Sequence, residues 1–380
     1  MGGSQGTYRR GELAAWIVVV AAFAAVLPFA RLPGPVAPGV PAIFSGAITV
    51  ADAATAFLLL ARFLEARTPA ILMLSWAYLF SAIMTCIMLL VFPDAVLPGR
   101  SVLISGEKGN QAISWIFQFW FWGFSIAAFA SAAAAAWWPE RRIAPSRVRL
   151  SIVVIMATTA CAALGLSFLA LAAADRLPLM IVGSQWTPFN AAATIGAYTF
   201  LLAAIALIHL RLRSRDELFR WLELALAAFA LANAVTTLSG GRYTVGWTAG
   251  RILWAGSAGV VLIYFLAQFS RQQRALAEAR DHLEEKIAER TTEKDHLIKV
   301  INHRIGNQLQ VIQSVVSIES RQAQSAETLA VLDRLQKHLK TMADDHLLHS
   351  QSDYLRKEIA DLESEMGVES KDPGGERERS

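Results

Sequence analysis

Eight apolar stretches, at about 12–30, 41–61, 70–92, 112–138, 150–174, 190–210, 219–239 and 245–269, fill the first two thirds of the chain. Each is close to the roughly 20 residues a helix needs to cross a bilayer. Water is absent from the bilayer core, so every backbone N–H and C=O there must be satisfied within its own segment, and the stretches must be helical. The sequence therefore predicts an all-α fold: a polytopic bundle of about eight transmembrane helices over residues 1–269, with a polar helical region behind it. A composition of 54% hydrophobic and 17% charged residues agrees.

Charge sets the sidedness. Arg62 and Arg67, then Arg141, Arg142, Arg147 and Arg149, then Arg211, Arg213, Arg215 and Arg220 fall on alternate connections, while the intervening ones carry only Arg31, Arg100 and Lys108, Arg176, and Arg242. The positive-inside rule puts the arginine-rich connections in the cytoplasm. An even number of spans then places both termini there too. Arg9 and Arg10 precede an apolar run too long for a signal-peptide core, so that run is read as the first span. The outward loops are short and contain Pro and Gly, as in Leu32-Pro33-Gly34-Pro35, leaving no room for a folded extracellular domain.

After Phe269 the chain turns polar. Leu276, Leu283, Ile287, Leu297 and Ile301 keep heptad-compatible places, interrupted by Arg280, Arg290 and Lys294, which predicts a parallel coiled-coil signalling helix over 270–300. Ser320–Ser325 reads as a turn. Beyond it, Leu329, Leu332, Leu335, Leu339, Met342 and His346 mark a second amphipathic helix. Two such helices per chain bury their stripes by pairing with a second copy as a four-helix bundle, so residues 301–350 form a dimerising hairpin and the partner is a homodimer. Residues 351–380 are expected to be a linker and a disordered tail. Residues 1–270 hold 18 basic and 10 acidic side chains, leaving 17 and 21 for 271–380. The acidic soluble part would repel phosphates, which argues against nucleic acid as a partner.

The hairpin opens on Asn302-His303-Arg304-Ile305-Gly306-Asn307-Gln308-Leu309-Gln310-Val311. At about 100° per residue, Ile298, Ile301, Ile305, Leu309, Ile312, Val315 and Val316 share one stripe, and His303, Asn307 and Gln310 fall nearly opposite. His303 thus faces solvent, where a neutral imidazole nitrogen is a nucleophile near pH 7 and a donor can reach it.

These residues resemble the phosphoacceptor helix of bacterial sensor histidine kinases of the HWE/HisKA-like branch, in which Arg follows the histidine and Asn comes soon after. The resemblance continues through Asp344-Asp345-His346-Leu347-Leu348 and Tyr354–Leu362, and the spans in front resemble MASE-type membrane-associated sensor domains. It implies a two-component sensor in which His303 carries the phosphoryl group. Arg304 and Asn307 would orient the ring or the incoming phosphate, with Gln310 less directly placed, and a response regulator would be the partner. Gly306 departs from the commonest pattern and costs helix stability. Only 18 residues follow Leu362, too few for an ATP-binding domain, so ATP and magnesium are expected only through a separate kinase domain and no cofactor in this chain. Transporters or channels with an oligomerising tail, and a catalytically dead scaffold, are the competing readings.

Inside the membrane, Asp52 and Arg251 are charges at costly depth. They are expected to pair, either as a structural ion pair that only fixes helix packing or as a pair that lines a ligand cavity with Gln118, Asn190 or Asn233. Trp115, Phe117, Phe119, Trp120, Phe121 and Trp122 suggest an interfacial belt, or else a stimulus pocket. His282 and His296 are expected to face solvent, and His338, His346 and His349 lack the partners of a metal site. Cys86 and Cys161 are expected to pack as small hydrophobes.

Overall fold

The computed structural model describes residues 2–34, 39–92, 95–97, 101–104, 106–213, 216–325 and 327–345, with side chains from residue 13 onward. The helices are α1 (Gly2–Val26), α2 (Val40–Ala66), α3 (Pro69–Val91), α4 (Gly106–Trp137), α5 (Val148–Ala172), α6 (Pro188–Leu207), α7 (Glu217–Leu238) and α8 (Val245–Gln322). A ninth, α9, covers 327–345. A two-stranded hairpin, β1 (Ile181–Val182) with β2 (Gln185–Trp186), lies between α5 and α6.

The chain divides into two compact units, Met1–Gln272 and Gln273–Ser380. Among the described residues, seven helices are long and apolar enough to cross a membrane, the last being α8, and Leu13–Phe29 adds a shorter apolar helix where the first span is expected. Turn chemistry marks the helix ends. Pro69 follows extended Thr68, the Thr187 hydroxyl accepts from the Asn190 N–H, and the Asp216 carboxylate accepts from Leu218 N–H.

The connections segregate as the charge pattern predicts. At one end, Ile143 N–H donates to Arg67 O (2.8 Å), and Arg62 reaches Asp216 (3.0 Å) and the Tyr264 hydroxyl (3.0 Å). The three arginine-rich connections meet there, together with the part of α8 around Tyr264. At the other end Gly34 N–H donates to Tyr243 O (2.8 Å), Val245 N–H to Leu32 O (3.0 Å), and Arg242 to Asn110 Oδ1 (3.0 Å). α1 therefore ends, and α8 begins, at the arginine-poor face.

α3, α4 and α7 are the most buried helices, and α4 runs through the core against α3, α5 and α6. Gly123 lets α3 approach, since a Cβ there would stand 2.3 Å from the Phe80 ring. The aromatic cluster on α4 is largely core rather than belt: Trp120 and Phe121 are buried, Trp120 meets Phe229 and Trp254 edge-on, and Phe117 stacks on Trp254 at 5.3 Å. Cys86 and Cys161 are exposed on the unit's surface instead of packed inside.

In the second unit α8 ends at Gln322, within the expected turn, and Leu329 N–H bonds Ser325 O as α9 begins. Gln313 donates to Leu339 O (3.3 Å), and Val316 and Leu339 are buried, so α8 and α9 fold back as an antiparallel hairpin. Leu276, Leu283, Ile287, Leu297 and Ile301 are all more than half exposed along the stalk. The expected tail at 351–380, with His346 and His349, lies outside the described residues.

Candidate functional site

His303 sits on α8 with its side chain exposed, as the helical period requires. Asn307, one turn along, stands 3.2 Å from the imidazole Nδ1. Its amide can donate to Nδ1 or, turned over, accept Nδ1–H; the second arrangement leaves the Nε2 lone pair free and pointing outward. Arg304 and Gln310 are exposed, and among the described residues no bond joins either to His303. A Cβ on Gly306 would meet nothing within 4 Å in its own chain. An exposed imidazole is suited to group transfer with an incoming partner, and with Asn307 accepting Nδ1–H the nucleophile would be Nε2. Elsewhere in this unit, His282 and His296 are exposed, and His338 is exposed and bonds its own helix at Arg334 O.

Within the membrane unit Asp52 and Arg251 do not pair. Asp52 is 3% exposed and accepts from Ser81 Oγ at 2.5 Å, and Ser81 in turn accepts from Trp120 Nε1 at 2.7 Å. Arg251 lies near the start of α8, where its guanidinium stacks on Trp247 (3.3 Å to the ring centroid) and donates to Trp247 O (2.8 Å). A buried carboxylate needs hydrogen-bond donors, and a buried cation a π face or carbonyl; each finds its own, so no bridge is required.

Of the polar residues expected to share a cavity with Arg251, Asn190 does, in a space of about 510 Å³ also lined by Ser114, Phe117, Trp186, Thr194, Arg242 and Trp254. Gln118 holds Asn190 Oδ1 (3.1 Å) and Thr194 Oγ1 (2.8 Å). The Asn233 side-chain amide instead donates back to Phe229 O on its own helix. Asp52 borders a separate space of about 330 Å³ that shares Trp254. Arg242 was missed by sequence reasoning, because the turn Gly240-Gly241-Arg242-Tyr243 reads as an outward loop with one exposed charge. In the fold it is buried, bound to Asn110 and Ser114, and desolvation lowers its pKa to about 10, leaving it a cation at neutral pH.

Two family models match the chain. One, MASE4, described as "Membrane-associated sensor, integral membrane domain", matches residues 35–272, more than half of the 380 residues. The other, HisKA_2, described as "Histidine kinase", matches residues 301–362. No curated protein and no solved structure matches the chain.

Proposed function

This chain belongs to the MASE4 family of membrane-associated sensors and is a membrane sensor histidine kinase of a two-component system, in which we propose that His303 carries the phosphoryl group. The observation that carries the proposal is the geometry at His303: an exposed imidazole on the first helix of the matched segment, with Asn307 3.2 Å from Nδ1. In the forward step Nε2 attacks phosphorus, the P–N bond forms as the donor's P–O bond breaks, and the Nδ1 proton is stabilised by the Asn307 carbonyl. The reverse attack, by a carboxylate of a response regulator, returns the ring to neutral. Arg304, free to swing on its stem, steadies the equatorial phosphate oxygens. The phosphoryl group would be supplied by ATP and magnesium held in a separate kinase domain.

The hairpin works as a homodimer. Half-buried and buried residues on α8, such as Leu309, Gln313 and Val316, face α9, whereas Ile301, Ile305, Ile312 and Val315 are exposed roughly a quarter turn away. A helix needing two neighbours in directions so separated is one corner of a four-helix bundle, and the second neighbour is another copy. Leu329, Leu335 and Met342 leave α9 equally unfinished. The exposed stalk residues from Leu276 to Ile301 pair in the same dimer as a coiled coil.

The arginine-rich end of the bundle lies in the cytoplasm of a bacterial inner membrane, with both termini on that side. The positive-inside bias and the meeting of Arg67, Ile143, Arg62 and Asp216 at one end support this. The test is label transfer to the full chain in nanodiscs from a panel of phosphorylated response regulators and kinases. Acid-labile label on wild type and none on His303→Gln supports the proposal. Equal labelling of both, or none from any donor, sinks it in favour of a scaffold.

A further inference from the structure

Among the described residues, the charged groups that line the space of about 510 Å³ at the arginine-poor end of the sensor unit are two, both cations. They are Arg242 and Arg251, and among the described residues neither has a carboxylate within ion-pair distance; Arg242 rests on Asn110, Ser114 and the Phe92 ring, Arg251 on Trp247. No Asp or Glu among the described residues lines the space. Trp254 is buried and lines it too, and among the described residues its indole N–H has no acceptor. Two buried cations and an orphan donor around one space are costly in an apolar bundle unless something brings acceptors and negative charge. The remaining walls mix the rings of Phe92, Phe117, Trp186 and Trp254 with neutral polar side chains such as Asn190 and Thr194, a lining suited to a ligand with both an apolar body and polar groups.

We propose that this cavity is an anion site that takes a carboxylate or phosphate carried on an apolar or aromatic body, with Arg242 and Arg251 binding the anionic group and Trp254 donating to it. The inference goes beyond the phosphotransfer reading and does not depend on His303. Because the site spans α4, α6, α7 and α8, an anion bridging Arg242, next to α8's first turn, and Arg251 on α8 itself favours one placement of that helix end. The anionic group has two possible sources, a free small molecule or a lipid headgroup.

The experiment is equilibrium dialysis of labelled benzoate and of phenyl phosphate against the full chain in phosphatidylcholine nanodiscs, with neutral benzamide as competitor. Saturable binding of either anion at one per chain is expected, with benzamide competing poorly. Arg242→Gln and Arg251→Gln should each weaken it by about tenfold, the loss of one charge-assisted contact. Trp254→Phe, which keeps the ring and removes only the N–H, should weaken it by about threefold, and this variant decides the matter if an arginine variant fails to fold. If phosphatidylglycerol in the nanodisc displaces the label from wild type and raises thermal stability less in the arginine variants, the source is a lipid headgroup. The proposal is overturned if neither anion binds saturably and phosphatidylglycerol stabilises wild type and variants alike. It is equally overturned if benzamide binds as well as benzoate, or if the folded variants bind like wild type.

Discussion

Replacing Gly306 by alanine separates the helical preference of the acceptor segment from any need for space beside His303. Glycine inside a helix is less favourable than alanine by about 1 kcal/mol, because it loses more backbone freedom on folding. An added Cβ at position 306 meets nothing within 4 Å of its own chain, so no clash offsets that gain. In the four-helix arrangement Gly306 also points away from the Ile305 and Ile312 face, so the second copy does not crowd it. Gly306→Ala should therefore stabilise local helix by about 1 kcal/mol per chain, which slows amide exchange across 302–312 about fivefold. Hydrogen exchange read by mass spectrometry on the full chain in nanodiscs measures this directly, and phosphoryl transfer should stay within about twofold of wild type, as the imidazole is untouched. Faster or unchanged exchange would refute the packing argument and mean that the glycine makes room for the second copy. Slower exchange with transfer abolished would instead mean that the donor's surface comes down on the helix at this residue.

We predict that Ile305→Asp or Ile312→Asp dissociates the cytoplasmic dimer. Each isoleucine is over a third exposed in the single chain and is worth about 1.5–3 kcal/mol per copy when covered, so sedimentation of the full chain should show dimerisation weakened by more than about a hundredfold. Asn307→Ala should slow phosphoryl transfer by about tenfold in single-turnover assays, while Asn307→Asp, whose carboxylate still accepts Nδ1–H, keeps most of the rate; equal loss in both would remove Asn307 from the mechanism. At the arginine-rich end the Glu223 carboxylate is 4% exposed between His209 (2.8 Å) and Arg213 (3.3 Å). Glu223→Leu leaves those two partly exposed side chains without it and should cost about 1–3 kcal/mol, read as a lower melting temperature of the full chain; an unchanged melting temperature would show the cluster to be a surface pair of no consequence.

How far the amino-acid sequence alone reveals this architecture differs between the two units. Spanning lengths and arginine alternation are dictated by the bilayer, so the order of helices and the end at which Arg62, Arg67 and Asp216 gather follow from sequence. The outward direction of His303 is equally readable, because in water the apolar period tells the buried side from the wet one. Inside the membrane that signal fails, since lipid and helix neighbours are both apolar. Trp120 and Phe121 therefore read as belt residues although they are core, and Cys86 reads as core although it is exposed. The expected pairing of Asp52 with Arg251 fails for a related reason: the smaller donor Ser81 and the ring of Trp247 satisfy them locally, and neither partner stands out in a sequence. Arg242 is invisible because the same turn would carry an exposed arginine just as well.

The most direct test of the account is to locate the phosphoryl group on the full-length chain by tandem mass spectrometry at neutral pH, after labelling by whichever donor transfers to it. The account predicts a single acid-labile phosphoramidate on His303, absent from His303→Gln. Phosphate found instead on Asp344, Asp345 or a hydroxyl residue, or persisting in His303→Gln, would contradict it.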